Sequence, residues 1–133
     1  MGKWQVSISK VVTMIAITNF IKQFWQGITI VILVLITVAS LYPAQHLPSV
    51  PGSDKTHHFI AYCALMLPAA LRRPKYWLAF ALLFITWSGL IELIQPHVNR
   101  YGEWLDLAAN TGGVLLAIII AQGLHGLISL KKA

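Results

Sequence analysis

Asp54, Glu92, Glu103 and Asp106 are the only acidic residues in a chain of 133, and each stands at the edge of a long apolar run. Around three of them the side chains capable of chemistry form short blocks. In the first block, His58 follows Asp54 by four residues and precedes Tyr62 by four, so the three share one helical face; Lys55, three before His58, lies on the same flank. The second block is Glu92 with Gln95. The third is Asp106 with Asn110, preceded by Arg100 and followed by Gly113 one turn deeper. A carboxylate near an imidazole supports acid–base work, with Glu92 or Asp106 as general base and His58 as proton shuttle. Lys55 and Arg100 suit a phosphate or a carboxylate, Arg in bidentate fashion. The same groups could also do no more than pair with one another.

No G-x-S-x-G, H-E-x-x-H or P-loop occurs, and neither Ser53 nor Ser88 carries the sequence signature of a nucleophile. The spacing of His58 and the carboxylates matches no metal motif. The expectation is no metal and no cofactor, with enzymatic activity left open.

The elements that position these blocks follow from composition. Hydrophobic residues make up 57% of the chain and charged residues 11%, with a mean hydropathy of +0.70. A soluble domain carries roughly 25% charged residues, so this chain has too little charge to cover a wet surface. The length fits one domain, the class is integral membrane, and the fold expected is all-α. A net charge of +6 would suggest nucleic acid in a soluble protein, but these cations flank apolar runs, where they set topology and meet anionic headgroups. No nucleic-acid partner is expected, and membrane lipids are. Cys63, the lone cysteine, reads as a small buried hydrophobe.

Residues 1–23 form a first segment. Val11, Val12, Ile15, Ile17, Phe20, Ile21 and Phe24 recur at helical spacing, with Thr18, Asn19, Lys22, Gln23 and Gln26 gathered opposite. This predicts an amphipathic helix lying in the membrane interface, with a poorly ordered leader, or a start at Met14, as alternatives. Residues 24–133 form the main domain. Its first span runs over Gly27–Tyr42, extended by Phe24 and Trp25 toward the roughly 20 residues a crossing needs. Pro43, Pro48, Pro51 and Gly52 break it, and Ser53 or Asp54 caps the next helix. The second span runs from about Lys55 to Leu71, its outer end polar, with a kink possible at Pro68. A basic turn, Arg72-Arg73-Pro74-Lys75, leads to a third span over Tyr76–Ile94 that Pro96 ends. A fourth covers Trp104–Leu130 and closes on Lys131-Lys132.

Eight lysines and arginines fall on one side of these spans, and only Lys55 and Arg100 on the other. The positive-inside bias therefore places both termini and the Arg72 turn in the cytoplasm. The predicted architecture is a four-helix antiparallel membrane bundle. A charge at the bilayer centre costs about 2.5–3.5 kcal/mol or more, so Glu92 and Asp106, each near a helix end, are expected to pair with Lys55 and Arg100. The expected site is an outward-facing polar pocket lined by Asp54, Lys55, His58, Tyr62, Glu92, Gln95, Arg100, Asp106 and Asn110. Gly112 and Gly113 would let the fourth helix approach a neighbour closely. Trp25, Trp77, Trp87 and Trp104 read as lipid or interface anchors, and His125 as a packing or interfacial residue.

Taken together, Asp54-Lys55-x-x-His58-Phe59-x-x-Tyr62, Glu92-x-x-Gln95, and Arg100 followed by Asp106-x-x-x-Asn110-x-x-Gly113 resemble the VanZ-like membrane proteins. The resemblance covers roughly residues 28–128; the stretch before Gly27 lies outside it. His58, not His57, falls at the family's histidine position, and Glu103 falls where a small or polar residue is expected and is given no site role. The resemblance implies a protein of the bacterial cell envelope, in the inner membrane, with a possible link to glycopeptide resistance, notably to teicoplanin. The leading expectation is a binding module whose pocket takes an anionic lipid, a lipid-linked cell-wall precursor or a lipoglycopeptide headgroup. An intramembrane acid–base enzyme and an ion-paired scaffold are the alternatives. Transport ranks below these, because the cytoplasmic half has almost no polar lining.

Overall fold

Proline and glycine punctuate this chain, and the helices fall between them. The computed structural model describes residues 3–46 and 51–130; Pro48 of the first loop and Lys131-Lys132 lie outside the described residues. Among the described residues there are five α-helices and no strand: α1 (Lys3–Gln23), α2 (Trp25–Leu41), α3 (Asp54–Arg72), α4 (Trp77–Ile94) and α5 (Trp104–Leu130). Short 3-10 turns at Ala44–His46 and Gln95–Val98 follow α2 and α4.

Local chemistry sets the ends of α3. Ser53, not Asp54, is its cap: the Ser53 hydroxyl accepts the Thr56 N–H at 3.2 Å and lies 2.7 Å from the Thr56 hydroxyl. Asp54 falls in the first turn, where the free N–H groups favour a negative charge. The helix runs through Pro68 and stops at Arg73, whose φ of 53° is left-handed and whose N–H reaches the Ala69 carbonyl at 2.9 Å. Pro74 then prevents continuation.

Helix α3 is the hub. Tyr62, Leu65, Met66, Ala69 and Ala70 are buried along it, and they pack mainly on Val114, Ala117 and Ala121 of α5. The close approach depends on glycine. A Cβ on Gly113 would collide with the Phe59 carbonyl oxygen and lie 2.9 Å from the Cys63 nitrogen, and one on Gly112 would press the Phe59 ring at 3.1 Å. Helices α2 and α4 cover the remaining sides and are tied together where Trp87 Nε1 donates to the Thr37 hydroxyl at 3.0 Å. Trp87 is thus a link between helices, a role beyond the expected anchor.

The outward surfaces are oily. Ile30, Val34, Leu35 and Val38 on α2, Leu78, Leu82, Leu83 and Leu90 on α4, and Leu115 and Ile119 on α5 are all exposed. A monomeric soluble protein rarely shows apolar patches of this kind. Segments Trp77–Val98 and Trp104–Ser129 are each long and apolar enough to cross a membrane, whereas α1 and α2 qualify only as a pair, bent by 77° at their junction. The described chain therefore offers two such spans, or three if the bent pair counts as one.

Helix α3, expected as the second span, is not among them. Its first turns carry Asp54, Lys55, Thr56, His57 and His58 and its last carries Arg72, which lowers its hydropathy; most of its apolar residues, Ile60 excepted, face protein neighbours. A second difference concerns α1, whose apolar side chains are not gathered on one face. Thr18 is buried, while Ile8, Val12, Ile17 and Phe20 are exposed. Helix α1 lies against the far end of α3, where Thr18 and Ile21 line a common cleft with Leu67 and Leu71. The amphipathic pattern gives way because this contact, not a polar–apolar boundary, orients the helix.

Candidate functional site

The start of α3, the end of α4 and the start of α5 meet at one end of the array, and the reactive side chains meet there with them. Lys55 is at the centre of the charges. Its Nζ lies 2.7 Å from Glu103 Oε2 and 3.5 Å from Asp106 Oδ1. The ammonium thus ties the first turn of α3 both to the residue before α5 and to α5 itself. The Lys55–Glu103 pair is about half exposed, while the Asp106 side chain is only 3% exposed.

His58 stands next to this pair with its side chain 11% exposed. Its Nδ1 meets Asn110 Oδ1 at 3.2 Å, and its Nε2 faces Asp54 Oδ1 at 3.9 Å and Asp106 Oδ2 at 3.8 Å. Asn110 Nδ2 donates in turn to the Ser88 hydroxyl at 2.6 Å. Ser88 is fully buried and lies against the Tyr62 hydroxyl. A continuous polar chain thus runs from α3 through α5 to α4. Asp54, His58 and Asp106 each offer one possible ligand atom, and these atoms all lie within 4.8 Å of one another.

Glu92 lies behind this cluster. Its Oε2 accepts the Glu103 backbone N–H at 2.8 Å, and its buried Oε1 has no hydrogen-bond partner. Gly102 makes this contact possible, since a Cβ there would collide with the Glu92 carbonyl oxygen. Gln95 is buried and donates to the Ser40 carbonyl at 3.2 Å. Arg100 Nη1 donates to the carbonyls of Ala39 and Tyr42 at 3.4 and 3.3 Å. Gln95 and Arg100 therefore fasten the loop after α4 to the end of α2.

A cavity of about 610 Å³ opens between α2 and α3. Leu35, Ile36, Ala39 and Ala61 give it an apolar wall, and Asp54, His57, His58 and Arg100 stand among its polar lining. Of the nine expected pocket residues, Asp54, His58, Tyr62 and Arg100 line it. Lys55, Asp106 and Asn110 form the adjoining network, and Glu92 and Gln95 are buried in the helix junction. The expected pairing also changes. Lys55 does meet Asp106, but its shorter contact is Glu103; Glu92 is held by a backbone N–H; and Arg100 binds carbonyls, with no carboxylate partner among the described residues. Glu103 has no place in the motif, and the sequence reading gives it no site role. A signal was nevertheless present: it is the residue just before α5, at the same end as Lys55. His57 lines the cavity with its Nε2 2.8 Å from the Pro51 carbonyl, a contact with no trace in helical spacing.

Apolar helices with lipid-compatible outer surfaces, joined at one end by a buried ionic network, define a small helical protein of membrane type. The family described as VanZ/LLP1 matches residues 3–127, and the chain belongs to it. The match begins at residue 3, so α1 is part of the family's extent and not a segment outside it. No curated protein and no solved structure matches the chain.

Proposed function

We propose that the cavity between α2 and α3 binds the headgroup of an anionic envelope lipid or lipid-linked cell-wall precursor. The carrying observation is the cavity's two-part wall. One end has Arg100, His58 and Asp54, and the other has Leu35, Ile36, Ala39 and Ala61. An amphiphile has the same two parts. Both bonds of Arg100 to the α2 end use Nη1, so the rest of the guanidinium is without a partner among the described residues and suits a phosphate oxygen.

In this reading α2, α3, α4 and α5 all cross the bacterial inner membrane. Helix α3 does so despite its polarity, because neighbours shield it from lipid. The Lys55–His58 end faces outward, the termini are cytoplasmic, and α1 turns along the inner surface after the 77° bend. A role in glycopeptide response is one use of such a pocket. The Lys55–Glu103 contact at 2.7 Å favours a second reading, an ionic clasp that only holds the outer helix ends together.

Native mass spectrometry of the purified protein separates the two. Wild type should retain an anionic lipid or lipid-linked phosphate beyond bulk lipid. A folded Ala39→Trp variant, which fills the apolar wall without touching the ionic network, should lose it. If both carry the same bulk lipid, the binding reading fails and the clasp stands.

A further inference from the structure

All four carboxylates of the chain converge on this end, and Lys55 is the one cation in salt-bridge contact with them among the described residues, apart from what His58 carries. The hydrogen bonds of His58 sharpen the imbalance. Asn110 turns its amide nitrogen to Ser88, so its Oδ1 faces His58 Nδ1. An amide oxygen only accepts, so Nδ1 carries the hydrogen and the neutral ring has its lone pair on Nε2. That lone pair points between Asp54 Oδ1 at 3.9 Å and Asp106 Oδ2 at 3.8 Å. A lone pair between two carboxylates is unfavourable unless a cation lies among them, either a second proton on the ring or a bound ion. A proton on Nε2 would not make a hydrogen bond at these distances, because such bonds are roughly 2.7–3.2 Å long. Two metal–ligand bonds of about 2.1 Å span up to about 4.2 Å, so each His58–carboxylate separation fits an ion between N and O donors, and the exposed Asp54 side chain has to turn inward to bring all three donors, now within 4.8 Å of one another, onto it.

A second observation is independent of the triad's spacing. Asp106 is 2% exposed; Lys55 Nζ pairs with its Oδ1 at 3.5 Å, but its Oδ2, the atom turned to the triad, has only His58 Nε2 beside it at 3.8 Å among the described residues. Behind it, Glu92 Oε1 is buried without a partner. Anionic oxygens left so in a protein interior call for a positive charge.

We infer that Asp54, His58 and Asp106 form a binding site for a divalent first-row transition ion of the zinc class. One imidazole and two carboxylates suit such an ion better than an all-oxygen set would. Asn110 acts as the outer partner that fixes the ring and its tautomer, as the second hydrogen bond of a metal-bound histidine usually does. Three protein donors leave at least one coordination position open, and Asp54 and His58 also line the 610 Å³ cavity. An open position is the mark of a site that binds or activates a ligand, as opposed to a closed structural site. The ion site does not depend on a lipid occupying the cavity. The sequence shows no metal motif because the donors come from two helices, 48 residues apart for His58 and Asp106.

The test uses full-length protein in detergent, stripped with a chelator and titrated with Zn²⁺ alone by competition against a chromophoric chelator. Wild type should take up one equivalent. His58→Gln and Asp106→Asn should each weaken binding by at least tenfold, the cost usual for a lost ligand or its outer partner. His125→Gln, toward the other end of α5 and outside the cavity, should bind as wild type. Equal affinity in wild type and His58→Gln, or no stoichiometric uptake by wild type, overturns the site. Should a variant not fold, X-ray absorption at the zinc edge of the loaded wild type decides. One imidazole nitrogen among oxygen ligands supports the site, and a ligand set without imidazole overturns it.

Discussion

Replacing Gly113 by alanine adds one methyl group, and the structure predicts a large effect. The new Cβ would meet the Phe59 carbonyl oxygen at an impossible distance and the Cys63 nitrogen at 2.9 Å. Both are backbone atoms of α3, so no side chain can rotate away. The helices must part, and the α3–α5 seam is the main helix contact of the fold, with Leu65, Met66, Val114, Ala117 and Ala121 fully buried. A gap of about 0.5–1 Å forfeits a quarter to a half of each dispersion contact along the seam. Overpacking of this sort costs about 1–3 kcal/mol, and the backbone-to-backbone clash puts Gly113→Ala at the upper end. Gly123 is the control in the same helix: a Cβ there meets nothing within 4 Å. Gly123→Ala should be neutral or stabilise by up to about 1 kcal/mol, through helix propensity alone. The two variants should therefore differ by about 3 kcal/mol. Tryptophan-fluorescence unfolding of purified protein reads this directly. Equal stability of Gly113→Ala, Gly123→Ala and wild type would refute the close-approach reasoning.

Two further perturbations probe the ionic end. Lys55→Met should lower the melting temperature by leaving buried Asp106 without its cation, and adding Asp106→Asn should recover most of the loss, whereas adding Glu92→Gln should not; the reverse order of rescue in a thermal-shift series would contradict the observed pairing. Asn110→Leu strands Ser88 and His58 together, each missing one partner, which should cost about 2–6 kcal/mol at 1–3 kcal/mol per unsatisfied buried group; a variant as stable as wild type in denaturant unfolding would mean the chain from His58 to Ser88 carries no weight.

The sequence by itself determined the helices and the end at which chemistry gathers. The strong apolar runs, broken by Pro43, Pro74 and Pro96, fall within a few residues of α2, α4 and α5, because backbone breaks and apolar length are local properties. The faces of Asp54–His58–Tyr62 and Asp106–Asn110 were legible for the same reason, since helical periodicity alone aligns them. Only the tertiary structure decided which face met which. It gave Lys55 to Glu103, sent Arg100 to the α2 carbonyls, and set Glu92 against a backbone N–H, because these choices depend on contacts between residues far apart in the chain. It also buried α3 against α5, a placement its composition, short of a membrane span, does not reveal. Helix α1 illustrates the opposite limit. Its apolar residues repeat at helical spacing, yet packing against Leu67 and Leu71 turned Thr18 inward and left Ile17 and Phe20 outside. Periodicity reports that a helix has faces, but the neighbour that occupies a face is known only once the chain has folded.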